Sequence, residues 1–105
     1  MSNRVTISFL PRWREAMLSG RKVCTFRTKQ MAEPWDTFEA FGAIFEVTAV
    51  LPDTVGNVAE TCYHVEGCAS PTEFRAVYRQ IHPKRHGDDV KGWLHVFRRV
   101  EADHA

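Results

Sequence analysis

Val5-Thr6-Ile7-Ser8-Phe9 alternates apolar and polar residues with a period of two, which predicts a strand with one buried face. The period then changes. Pro11 suits the first turn of a helix, and Trp13, Ala16 and Met17 recur at i, i+3 and i+4 before Ser19-Gly20 stops it. Residues 22 to 27 return to alternation and predict a second strand, and the polar stretch from Thr28 to Pro34 predicts a loop. Residues 37–42 and 43–50 are two more strand-like runs meeting at Gly42. In the second, Phe45, Val47 and Ala49 share one face, while Ile44 and Val50 lie on the other with Glu46 and Thr48. Apolar residues on both faces predict a sheet closed on itself or covered by a helix. Pro52-Asp53 is expected to end that strand.

The second half repeats the change of period. Asn57 to His64 suits a short helix, and Ser70-Pro71-Thr72-Glu73 is a capping box with proline at the first helical position. Phe74, Val77, Tyr78 and Ile81 continue it as an i, i+3, i+4, i+7 stripe that buries one face, and Pro83 ends it. Arg75 and Arg79 fall on another face, where solvation is the ordinary expectation. After a loop from Lys84 to Gly92, residues 93–100 return as a final strand. The order β, α, several β, α, β without repeated βαβ units argues for an α+β fold rather than a doubly wound parallel sheet.

Composition narrows the choices. A chain of 105 residues, 44% hydrophobic and 26% charged, is expected to form one domain over residues 1–105 with a single modest core. A net charge near +1 gives no global field to draw in nucleic acid, so such binding would need a local basic patch. No stretch is long and apolar enough to span a bilayer and no secretory leader is present, so a soluble, cytoplasmic chain without a membrane partner is expected. Cys24, Cys62 and Cys68 are odd in number and lack framework spacing, which fits reduced thiols. Cys62, His64 and Cys68 offer no C-x-x-C pair and no clear fourth ligand, so neither a metal nor a cofactor is called for. P-loop, Rossmann, zincin and G-x-S-x-G patterns are absent, so any chemistry must come from residues brought together in space.

The richest stretch for such chemistry is Gly20-Arg21-Lys22-Val23-Cys24-Thr25-Phe26-Arg27. Lys22 offers an ammonium or, when desolvated, a base; Thr25 offers a hydroxyl nucleophile; Arg21 and Arg27 are fixed cations suited to phosphates or carbonyls. The ordinary reading is a strand edge with solvated charges. Glu66, beside Gly67 and ahead of the capped helix, is the carboxylate that would join them, because a glycine there permits a turn that aims it inward. A regular strand points residues 22 and 25 to opposite faces, so a Lys22 and Thr25 pair requires Lys22 to sit in the turn or a bulge to intervene.

Together, Ile7-Ser8-Phe9, Leu18-Ser19-Gly20-Arg21-Lys22, Thr25-Phe26-Arg27, Glu66-Gly67, the capped helix and Tyr78-Arg79-Gln80-Ile81-His82-Pro83 resemble the ASCH domain over nearly the whole chain. The resemblance implies a small PUA-like β-barrel of five to six strands with two to three flanking helices, and a cleft suited to RNA or nucleotide-derived ligands. Small bacterial members of about this length are N4-acetylcytidine amidohydrolases. Their catalytic lysine, threonine and glutamate carry over onto Lys22, Thr25 and Glu66, with Thr25 as nucleophile, Lys22 as base and Glu66 as proton donor and acceptor. Arg21 and Arg27 are the implied substrate-binding residues, and the expected partner is a nucleoside bound by a monomer or weak homodimer. The alternative is an RNA-binding module of the same fold without hydrolysis. The family's usual Gly-Asp turn is replaced here by Trp35-Asp36.

Overall fold

The computed structural model describes residues 2 to 100. Its frame is one antiparallel sheet of β1 (Cys24–Arg27), β2 (Thr37–Ala40), β3 (Ala43–Thr54) and β4 (Lys91–Val100), in the spatial order β1-β4-β3-β2. Helix α1 (Arg14–Leu18) is entered through a 3₁₀ turn at Pro11–Trp13; α2 (Val55–Thr61) follows β3, and α3 (Pro71–Ile81) precedes β4. The architecture is α+β, a sheet curled into a half-barrel with three helices around it.

Four strands form among the described residues rather than five or six. The expected strand at Val5 to Phe9 does not. Arg4 makes an isolated parallel bridge to Thr37, and Val5 N–H donates to the Thr37 carbonyl at 2.8 Å, after which the segment leaves the sheet. Its alternation is nevertheless physical: Ile7 is buried while Thr6 and Ser8 are exposed. An extended segment laid over a core shows the same period as a paired strand.

β3 runs on past Pro52, with Pro52 opposite Trp93 and Thr54 opposite Lys91. β2 pairs with β3 only as far as Glu46, so Pro52 lies where β3 has one free edge, the setting in which a strand tolerates proline. A bulge between Val47 and Ala49 shifts the register, which bends the strand and explains why its apolar residues do not keep to one face.

Two apolar clusters hold the sheet. Phe38, Phe45 and Phe97 form one with Ile7, Met17 and Val47, their rings meeting in stacked and edge-on pairs at centroid distances of 5.3 to 5.4 Å. The other joins Cys24, Phe26 and Leu94 to Val55, Val58, Phe74 and Tyr78 of α2 and α3. Fully burying each such side chain contributes roughly 1.5–3 kcal/mol. Helix α3 begins as expected: Ser70 Oγ accepts from Glu73 N–H at 3.0 Å, and the Glu73 carboxylate reaches back to Ala69 N–H at 3.0 Å. Arg75 is clamped rather than solvated, bonding Glu60 at 2.7 Å and Asp88 through two nitrogens at 3.0 Å each, so that one guanidinium ties α3 to α2 and to the loop before β4.

Trp35 holds φ at 78°, the left-handed conformation that glycine adopts without strain, and Asp36 beside it accepts from Asn3 and Glu33 N–H at 2.9 Å each. Those two amides, Glu33 first, hold the Asp36 carboxyl below its ordinary range. No helix among the described residues is long and apolar enough to cross a membrane.

Candidate active site

β1 lies at an edge of the sheet, and its outward backbone groups need partners that no further strand supplies. Side chains supply two of them. Lys22 Nζ donates to the Cys24 carbonyl at 2.9 Å, and Glu66 Oε2 accepts from Phe26 N–H at 2.8 Å. Lys22 and Glu66 also join each other, Nζ to Oε1 at 2.7 Å, and Nζ makes its third bond to the Glu66 carbonyl at 2.9 Å. All three ammonium protons are thus used, with both residues buried, Lys22 to 2% exposure and Glu66 to 5%. This polar clasp caps the outward edge of β1, with which no further strand pairs among the described residues.

Two turns put the clasp in place. Gly20, at φ 82°, closes α1 and leaves Lys22 in the turn before β1, where its amide bonds the Ala16 carbonyl at 2.8 Å. Gly67 takes φ 96°, and a Cβ there would meet the Trp13 ring at 3.0 Å and Lys22 Cβ at 3.3 Å. Only glycine allows the 66–67 turn to press this close. The Trp13 ring in turn sits 4.6 Å from Lys22 Nζ, in cation–π contact.

Because Lys22 precedes the strand, it need not obey the strand's alternation. Lys22, Thr25, Arg27 and Glu66 all line one cavity of about 300 Å³, at the lower end of the range for small-molecule sites. Thr25 and Arg27 share a face of β1, and Arg27 Nε donates to Thr25 Oγ1 at 3.0 Å while Nη2 donates to the Ser8 carbonyl at 2.6 Å. Arg27 also lies 5.1 Å over the Phe9 ring. Burial pulls the Arg27 pKa down, and the Glu66 charge opposes that pull. A guanidinium N–H aimed at Oγ1 favours the alkoxide over the hydroxyl.

Arg21 is not brought into the cavity. Its guanidinium is held outside by Glu15 at 2.8 Å and by the Gly67 carbonyl at 3.1 Å, so it braces the 66–67 turn from behind. Glu46 on β3 pairs with Arg98 at 2.8 Å and leaves Arg27 to its partners in the cavity. Cys24 and Cys68 are poor nucleophiles here: burial pushes the Cys24 pKa strongly up, and that of Cys68 to about 11. Among the described residues no group of three or more His, Cys, Asp or Glu side chains is placed to hold a metal ion.

Behind Thr25, directly opposite it on β4, lies His95, with no exposed surface. Its Nε2 accepts from Met31 N–H at 2.9 Å, which fixes the neutral tautomer carrying the proton on Nδ1, 3.3 Å from the Thr25 carbonyl. Burial lowers its pKa against the pull of the Thr25 and Trp93 carbonyls. The imidazole therefore ties the 28–34 loop to the strand that carries Thr25.

Several wall residues escape sequence reasoning. Phe9, Trp13, Tyr78 and His82 line the same cavity, yet at the level of pattern Phe9 belongs to a strand signal, Trp13 and Tyr78 to helix core stripes, and His82 to a helix end. The only available signal was the combination of Ile7-Ser8-Phe9 with Tyr78 to Pro83.

No family model matches the chain, and no curated protein matches it by sequence. Its fold does match solved structures. These include the hypothetical protein PH0355, at 15% identity and a TM-score of 0.68, covering 95% of this chain and 100% of that one. An ASCH domain from Lactobacillus crispatus matches at 14% identity and TM-score 0.66, over 93% of this chain and 79% of that one. Protein EF3133 from Enterococcus faecalis matches at 16% and 0.64, over 95% and 76%. At these identities the likeness is one of fold.

Proposed function

We propose that this ASCH-fold chain is an amidohydrolase that cleaves the N4-acyl amide of N4-acetylcytidine or a related N4-acylated cytosine nucleoside. The observation that supports it most is the meeting of Lys22, Thr25 and Glu66, from two segments about 40 residues apart, on one cavity of nucleoside scale. Arg27 extends the set, because it already donates to the oxygen that would act as nucleophile.

The chemistry starts from the 2.7 Å contact between Lys22 and Glu66. Passing one proton from the ammonium to the carboxylate converts a buried ion pair into a neutral amine and a neutral acid, which a desolvated site tolerates better than a lone charge. The Lys22 amine then takes the Thr25 hydroxyl proton as Oγ1 attacks the acyl carbonyl. Collapse of the tetrahedral adduct breaks the bond to N4, which receives its proton from Glu66 and leaves as cytidine. Water, deprotonated by Glu66, attacks the acyl-threonine; the ester bond breaks, Lys22 returns its proton to Oγ1, and a carboxylate departs. Arg27 Nη1, which has no bond to another residue among the described ones, is free to face the oxyanion.

The alternative, an RNA-binding module, has less support at this cavity, since Lys22 and most of Arg27 are already engaged internally. The test is release of cytidine from N4-acetylcytidine by the purified protein beside Thr25→Val, Lys22→Met and Glu66→Gln. Turnover lost at least a hundredfold in each folded variant is expected. Absence of turnover, with RNA binding that weakens steeply with salt, would replace this reading by the binding module.

A further inference from the structure

Tyr78 lines the cavity from α3, stacked on Phe74 and tilted against Phe26 and His82. The residue is 6% exposed, and among the described residues its hydroxyl is the only buried side-chain oxygen or nitrogen without a hydrogen-bond partner. Leaving a hydroxyl unpaired is unfavourable in a fold that satisfies its other buried polar groups, and a phenylalanine would fill nearly the same space. Tyr78 lines the same cavity as Lys22 and Glu66, and burial raises its pKa, so the hydroxyl stays protonated and able to donate.

We propose that Tyr78 is a specificity-determining residue whose hydroxyl donates to a ring carbonyl of the bound ligand, selecting a planar polar ring over an apolar one of equal size. This rests on the reading of the cavity as a pyrimidine nucleoside site and adds to it the group that reads the ring. The amide-cleaving set stands on β1 and the 66–67 turn; Tyr78 stands on the helix across from it, so the two ends of the ligand are held by different elements. In the free protein the hydroxyl is unpaired and closed off from solvent, so a ligand satisfies it by shifting the cavity wall beside it.

That logic gives Tyr78→Phe two signed consequences. Without ligand the variant is more stable, with a melting temperature higher by ~4 °C, because an unpaired group is gone. With N4-acetylcytidine its KM rises about tenfold with kcat little changed, because the lost bond serves ground state and transition state alike. Equilibrium binding of cytidine, measured by calorimetry on both proteins, weakens by the same factor. A melting temperature equal to or below the parent's would mean that the hydroxyl is already paired, and would overturn the proposal. So would higher stability with unchanged KM and cytidine affinity. Should the parent bind cytidine without hydrolysing the acetylated nucleoside, the hydrolase reading falls, while tenfold weaker cytidine binding by the variant keeps the assignment of Tyr78. A parent that binds neither compound overturns both.

Discussion

The two apolar clusters flanking the sheet are built on opposite principles. Around Phe38, Phe45 and Phe97 the packing is aromatic and aliphatic and the rings interlock. Around Phe26, Phe74 and Tyr78 the packing abuts a buried lysine, a buried glutamate and an unpartnered hydroxyl. The first region does nothing that a generic core would not do. In the second, polar groups are held out of water at a cost that packing elsewhere must offset, and such costs concentrate at functional sites. Trp13 touches both clusters, with one ring face toward Lys22.

The contrast is broken most severely by unpairing the clasp. Lys22→Ala or Glu66→Ala leaves one buried charge alone, and a loss of about 3–5 kcal/mol in urea unfolding is expected together with loss of hydrolysis. Lys22→Met combined with Glu66→Leu is expected to recover most of that stability and none of the activity. A double variant as unstable as either single one would show that the clasp's bonds to the edge of β1 matter more than its charges. Phe45→Ala in the other region should cost about 3–5 kcal/mol while leaving kcat of the folded fraction unchanged. A parallel fall in kcat would mean that the two regions are not independent.

A finer probe is Thr25→Val, which keeps volume and β-propensity. Stability should move by about 1 kcal/mol or less, and hydrolysis should fall at least a hundredfold. Residual turnover near the parent's would remove Thr25 from the mechanism. The smallest effect is the pH response of His95. Its folded pKa lies below the ordinary value near 6.5, so between the two the unfolded chain binds the extra proton. Stability is therefore full above about pH 6.5 and declines as pH drops through that value, by at most about 1.4 kcal/mol per pH unit. His95→Gln, able to donate and accept but not to titrate, should flatten the His95 part of this slope in denaturation curves at pH 7 and 5, leaving that of His82. An unchanged slope would refute it.

The sequence made the local elements readable because their signals are local. Ser70 to Glu73 capped α3 as their spacing implies, and Gly20 placed Lys22 in a turn. Pairing over distance was only partly readable: Gly67 marked Glu66 as a carboxylate that would join Lys22, but nothing in their spacing says that they bond directly or that they also take up the edge backbone of β1. Arg21 and Arg27 look equivalent in sequence, yet one is drawn outward by Glu15 and the other inward by Ser8 and Thr25. Period alone likewise turned an extended cover, Val5 to Phe9, into an expected strand, because alternation reports which side is buried and not what the backbone bonds.

The order β1-β4-β3-β2 also has a consequence for how the chain folds. β4 is latest of the strands in sequence, yet it is central in space, joining β1 to the β2–β3 hairpin. Until it arrives, the hairpin can form from local contacts alone, while β1 has no strand to pair with, its partners lying some 70 residues ahead. Closing so long a loop is slow compared with forming a hairpin. β1, which carries Thr25 and Arg27, is thus fixed to the sheet only when β4 docks, and a chain arrested before that would expose the unpaired edges of β1 and β3, the kind of surface through which partly folded molecules associate.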